Sequence, residues 1–216
     1  MRSFARTIVL SAAIAAIPFL IPGSASAAIW TGATNSDWAT GTNWDSGSWP
    51  SDGTATFATK GSIVDPYLSN SYTIWDLSFT GTGWNIRHGG GRTLNLRGIN
   101  LSATNATAGI GTNVKLLSDV GVTVASGSVL TIGDQVFFNN QRMTKDGTGT
   151  LVLNGSGNTD NSSVRYFTVN GGTVLINGNN YSGGTSGRSL TVASSATLGG
   201  RGQVGANGTN VVPVSI

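Results

Sequence analysis

Gly149-Thr150-Leu151-Val152-Leu153-Asn154-Gly155 returns, at a displacement of 23, as Gly172-Thr173-Val174-Leu175-Ile176-Asn177-Gly178. Each copy is a short apolar run bounded by glycine, in which positions two apart share a face and Asn-Gly supplies turn chemistry. A looser copy, Gly127-Ser128-Val129-Leu130-Thr131-Ile132-Gly133, precedes the first at a displacement of 22, and Ser195-Ala196-Thr197-Leu198-Gly199 follows the second at 23. A unit of this length cannot bury its apolar face alone, so recurrence at one period signals stacked neighbours. About three short strands in each turn of that period is the pattern of a parallel β-helix, here with coils of about 22–23 residues. Some seven coils at ~4.8 Å each would build a rod of about 35 Å. Leu151, Leu153, Val174 and Ile176 are the expected inward residues. In the looser copy either Val129 or Leu130 can align with Leu151, and a slip of one residue reverses the buried face. Leu130 and Ile132 are taken as inward because that phase leaves Thr131 outside.

The composition agrees with an all-β chain. Of 216 residues 32 are Gly, none is Cys or Glu, and 10% are charged, against about 25% in an ordinary globular domain. No window repeats apolar residues at helical spacing, whereas Thr, Val, Ser, Asn and Gly alternate through most of the length. Strands are expected at Thr54–Thr59, Tyr72–Phe79, Thr93–Leu101, Val114–Leu117, Gly121–Ala125, Val129–Ile132, Leu151–Leu153, Tyr166–Val169, Val174–Ile176 and Ser189–Val192.

Residues 1–27 read as a cleavable export signal. Arg2 and Arg6 form a basic start, Ile8–Ile21 is mostly apolar, and Ala25-Ser26-Ala27 offers the small residues a signal peptidase accepts. The apolar run, interrupted by Ser11 and Pro18, falls short of the roughly 20 residues that span a bilayer. Without this leader the 12 Lys and Arg become 10 against 9 acidic residues, close to neutrality and with no basic stripe. Nucleic acid is therefore not an expected partner. An exported chain without Cys has no disulfide staples and depends on its stacked core and backbone ladders.

Residues 28–58 form a separate tryptophan-rich segment, with Trp30, Trp38, Trp44 and Trp49 close together and Pro50 near its end. Residues 59–216 are assigned to the solenoid. Lys145-Asp146-Gly147-Thr148-Gly149-Thr150-Leu151-Val152-Leu153-Asn154-Gly155, continued by Phe167-Thr168-Val169-Asn170-Gly171-Gly172-Thr173-Val174-Leu175-Ile176-Asn177-Gly178, resembles the autotransporter-associated β-strand repeat, most specifically over residues 143–205. Asn179-Asn180-Tyr181-Ser182-Gly183-Gly184-Thr185 is similar to the loop of that family. Trp30-Thr31-Gly32, Trp38, Asn43-Trp44 and Trp49-Pro50 resemble the segment that often precedes such repeats in large exported bacterial proteins. The resemblance implies a right-handed β-helical passenger on the bacterial cell surface or outside the cell. Neither a run of barrel strands nor a Pro-Glu-Pro sorting segment occurs in the sequence, so a truncated passenger is the expectation.

Enzymatic chemistry finds little footing in these residues. His88-Gly89-Gly90-Gly91 has the letters of an esterase oxyanion loop, but no G-x-S-x-G elbow accompanies it and His88 is the only histidine. It reads as a turn at a coil edge. No metal-ligand spacing is present, and no cofactor is expected. Polysaccharide-processing β-helices need converging carboxylates, and Asp65, Asp76, Asp119 and Asp134 have no placement from sequence alone. The four tryptophans carry two readings: a plug for the open end of the stack, or indole faces for sugar stacking. The expectation is a non-enzymatic structural or adhesive solenoid that displays the turns 158–163 and 179–188 to surface glycans or other cell-surface proteins. The alternative is a carbohydrate-binding or polysaccharide-processing β-helix.

Overall fold

Alternation of apolar and polar residues makes each rung two-sided. In Thr150–Leu153 the side chains of Leu151 and Leu153 are buried, while Thr150 and Val152 lie nearer the surface. The computed structural model describes residues 27–155, 166–178, 189–202 and 214–215. Within them such rungs stack into two parallel sheets that wind as a β-solenoid of about seven turns.

The long sheet runs through Ala27–Ile29, Thr54–Phe57, Asp76–Phe79, Thr93–Leu101, Asn113–Val124, Arg142–Asp146, Tyr166–Val169, Ser189–Val192 and Val214–Ser215. The short sheet runs through Tyr67–Leu68, Trp84–His88, Thr107–Gly111, Val129–Ile132, Thr150–Leu153, Gly172–Ile176 and Ala196–Gly199. A third face is built without a sheet of its own. Tyr72–Thr73 and Val136–Phe137 pair with the first halves of Thr93–Leu101 and Asn113–Val124, which bend around a corner to serve two faces. The register between these two long strands shifts between Leu96 and Gly98. Val114–Leu117 and Gly121–Ala125, expected as two strands, are one that runs through the corner, whereas the expected Tyr72–Phe79 divides at its corner into Tyr72–Thr73 and Asp76–Phe79.

Inward residues form ladders of like on like. Leu130 lies beside Leu151 and then Val174, while Ile110, Ile132, Leu153 and Ile176 continue the next column. Phe57, Phe79, Leu101 and Val124 make another on the long sheet. Each fully buried aliphatic side chain contributes about 1.5–3 kcal/mol of transfer free energy. Leu130 and Ile132 face inward as expected, and their pairing with Leu151 and Leu153 sets that displacement at 21, not 22. In the last copy Leu198 stands beside Val174, a displacement of 24 and not 23. In both, the displacement adjusts to keep an apolar residue over the column, and the turn absorbs the difference.

The repeat motif also explains its own polar letters. Asn177 Nδ2 donates to Asn154 Oδ1 at 2.9 Å, joining the Asn-Gly turns of successive coils. Gly172 has φ +68°, and a Cβ there would strike the carbonyl of Gly149, so no other residue fits the start of this rung. Lys145 is fully buried. Its ammonium donates to the carbonyls of Asp146 at 2.8 Å, Gly147 at 2.9 Å and Gly171 at 3.2 Å, tying the turn of one coil to that of the next. Burial pulls its pKa down from the ordinary 10.5, and the neighbouring Asp146 carboxylate partly restores it.

Candidate functional site

Ala28 and Ala55 are paired in the first two rungs of the long sheet. The tryptophan segment is thus an insertion between two coils and not a separate lobe before them. Strand parity sends Ala28 and Trp30 to the same side, inward, where Trp30 meets the other rings. Trp30 lies parallel to Trp38 at 6.5 Å between centroids and edge-on to Trp44 at 5.1 Å. Trp38 and Trp44 are edge-on at 4.9 Å, and Phe57 of the next rung packs beneath all three. Offset and edge-to-face geometries let positive ring edges meet negative faces.

A single amide organises the loop that carries these rings. Asn43 ends the 3₁₀ turn Gly41–Asn43 and is fully buried. Its Oδ1 accepts the backbone N–H groups of Thr34 and Asn35, and its Nδ2 donates to Asn35 Oδ1 and to the Asp37 carbonyl. All four hydrogen-bonding positions of the amide are used. In the sequence Asn43 stands beside Trp44 with no sign of this role. Buried Asn with complete partners leaves no compositional trace, because its partners are mostly backbone.

The segment closes both sheets by backbone mimicry. At the end of the long sheet Ile29 N–H donates to Asp45 Oδ1 at 2.7 Å, and Asp45 N–H donates back to the Ile29 carbonyl at 3.0 Å. At the end of the short sheet Tyr67 N–H donates to the Ser36 carbonyl and Trp38 N–H to the Tyr67 carbonyl. Edge groups that would otherwise template another strand are thereby occupied. The segment is a cap.

The indole faces are not equally available. Trp30, Trp38 and Trp44 are at most 2% exposed and cover one another. Trp49 is half-buried, edge-on to Tyr72 at 5.2 Å. Indole N–H groups of Trp30 and Trp44 donate to the carbonyls of Val64 and Trp38. That of Trp38 is buried without a partner among the described residues.

The remaining candidates stand apart from one another. His88 Nδ1 accepts the Arg92 N–H at 3.3 Å, and Nε2 reaches Asp134 Oδ2 at 3.0 Å. The imidazole thus pins its glycine turn to a carboxylate two coils further on. Asp65 is paired with Lys60 and also accepts the Asn85 N–H. Asp119 accepts the Arg142 N–H, and Asp76 is exposed on the long sheet. Among the described residues no three His, Cys, Asp or Glu side chains gather. Turns 158–163 and 179–188 lie outside the described residues.

The molecule is thus a parallel β-solenoid whose first coils are closed by an aromatic cap. No protein-family model, curated protein or solved structure matches the chain.

Proposed function

We propose that this chain is an exported, non-enzymatic structural or adhesive solenoid of the autotransporter-associated repeat type, displayed on or outside a bacterial cell. The observation that carries the reading is the paired closure of both sheet edges by Asp45 and by Ser36–Trp38. An extended parallel stack that met its own kind edge to edge would polymerise, and the cap answers that need at one end. The leader supplies the export step: cleavage after Ala27 leaves Ala28, still paired with Ala55, at the start of the first rung. No helix among the described residues is long and apolar enough to cross a membrane.

Expression of the whole chain in a Gram-negative host, followed by fractionation and N-terminal sequencing, tests the reading. The expected product is exported and begins at Ala28. Uncleaved protein retained in the cytoplasm would overturn it.

A further inference from the structure

The outer face of the long sheet carries a trough that the cap and the core do not account for. Outward positions form the column Thr54, Asp76, Gly98, Gly121, Thr144 across five consecutive rungs. Asp76 and Thr144 are separated by three strand spacings, about 14 Å at ~4.8 Å each, and between them two successive rungs have no side chain. The adjacent column, Ser78, Asn100 and Thr123, forms a polar wall. The space so enclosed is about 490 Å³, open to solvent and reached by Arg97 from the corner.

Three features of this lining select a ligand. The Arg97 guanidinium lies over the Trp75 ring at 5.1 Å, which holds a flexible cation in place beside the trough. The Asp76 carboxylate leans over the Gly98 backbone, where a Cβ would collide with its Oδ1. Within the described residues the side chains of Thr54, Asp76, Ser78, Asn100 and Thr123 make no hydrogen bond to the protein, in contrast to Asn95, Asn154 and Asn177, which bind between coils.

We propose that this trough binds a neutral saccharide, with one sugar ring over the open Gly121 floor, beside the Asp76 carboxylate that covers Gly98, and its hydroxyls bonded to Asp76, Arg97 and Asn100. The wall offers hydroxyl and amide groups that both donate and accept, together with one acceptor-only carboxylate and one donor-only guanidinium. That inventory matches a rim of hydroxyl groups. The single positive charge is offset by a neighbouring negative one, so the site has no excess charge for a phosphate or a uronate. A peptide has no purchase, because these inner strands are paired on both sides and leave no edge for strand addition. The bare floor at Gly121, where an added Cβ would meet nothing within 4 Å, admits a ring to van der Waals contact with the backbone.

This saccharide site gives chemistry to the adhesive reading proposed above, and binding by the purified full chain can fail or succeed independently of export. The probes are cellohexaose, xylohexaose, mannohexaose and maltohexaose, with an oligogalacturonate as the acidic comparison, measured by calorimetry. At Gly121 an added Cβ meets nothing within 4 Å and the backbone is not left-handed, so Gly121→Val fills the trough while the fold is retained. At least one neutral probe is expected to bind. Asp76→Ala and Gly121→Val should each weaken that binding about tenfold or more, with the thermal midpoint unchanged. The proposal is overturned if no neutral probe binds, if the acidic probe binds better, or if both variants bind as the parent does.

Discussion

The cap and the coils around residues 143–178 solve one problem by opposite means. In the coils a residue's neighbour is a similar residue one turn away, so that Leu153 meets Ile176 and Asn154 meets Asn177. Repetition supplies both the packing and the polar partners. In the cap nothing repeats: three indoles interlock at different angles, and one amide with four bonds fixes the loop beneath them. A periodic stack generates its own continuation and cannot terminate itself. Termination requires groups that imitate a neighbouring strand on one side only, as Asp45 does for Ile29.

The two regions should therefore fail differently when broken. The largest effect is expected for Trp44→Ala, which removes a buried indole from the centre of the cluster and strips the Trp38 carbonyl of its donor. The cost is about 3–5 kcal/mol, read by urea denaturation. With the cap loosened, the freed edges should also give self-association in sedimentation. A loss under about 1 kcal/mol, with the protein still monomeric, would show that the coils close their own end.

How far the sequence discloses all this differs between the regions for the same reason. Stacking is legible because Gly149–Gly155 and Gly172–Gly178 are nearly identical, and their pairing confirms the displacement of 23. The inward phase of Leu130 and Ile132 is legible from Thr131 between them. Displacements of 21 and 24 in the flanking copies are not, because they depend on how many residues a turn absorbs. The corner within Thr93–Leu101 shows in the sequence only as a change of phase, the buried residues passing from Leu94 and Leu96 to Ile99 and Leu101 across Arg97-Gly98. In Asn113–Val124, Ser118-Asp119 reads as a gap between two strands where the chain is one. In the cap the four tryptophans announce themselves, while Asn43 and Asp45 do not: their partners are mostly backbone atoms brought near only by folding. The trough is equally hidden, since Gly98 and Gly121 become neighbours through a register that no repeated motif marks.

Within the coils the sharpest test is Lys145, whose ammonium replaces repetition locally by holding three carbonyls from two turns. Lys145→Met keeps the apolar stem and leaves buried acceptors without their donor, at an expected cost of about 1–3 kcal/mol. The pH dependence has a definite sign. Burial lowers the folded pKa below the ordinary 10.5, so between the two values the unfolded chain holds more protons than the folded one. Stability from this group is then lowest below the folded pKa and rises with pH through that window. The difference in stability between parent and Lys145→Met should accordingly shift in favour of the parent on approaching pH 10. A difference independent of pH would mean that the charge on Lys145 is immaterial to the turn.

The smallest effect comes from the cap and separates ring packing from ring hydrogen bonding. Trp38 and Trp44 are edge-on partners of similar burial, but only Trp44 uses its indole N–H, donating to the Trp38 carbonyl at 2.8 Å. The Trp38 N–H is buried without a partner among the described residues, a desolvation cost of about 1–3 kcal/mol. Trp38→Phe recovers that cost while giving up part of the ring's contact area, so the two changes offset and stability should move by less than about 1 kcal/mol. Trp44→Phe loses contact area and also orphans a carbonyl, and its cost should exceed that of Trp38→Phe by about 1 kcal/mol or more. Equilibrium unfolding of the two variants side by side decides the order. Equal losses would mean that the cap is held by ring volume alone, and the imitation of a strand neighbour would then rest entirely on Asp45 and the Ser36–Trp38 backbone.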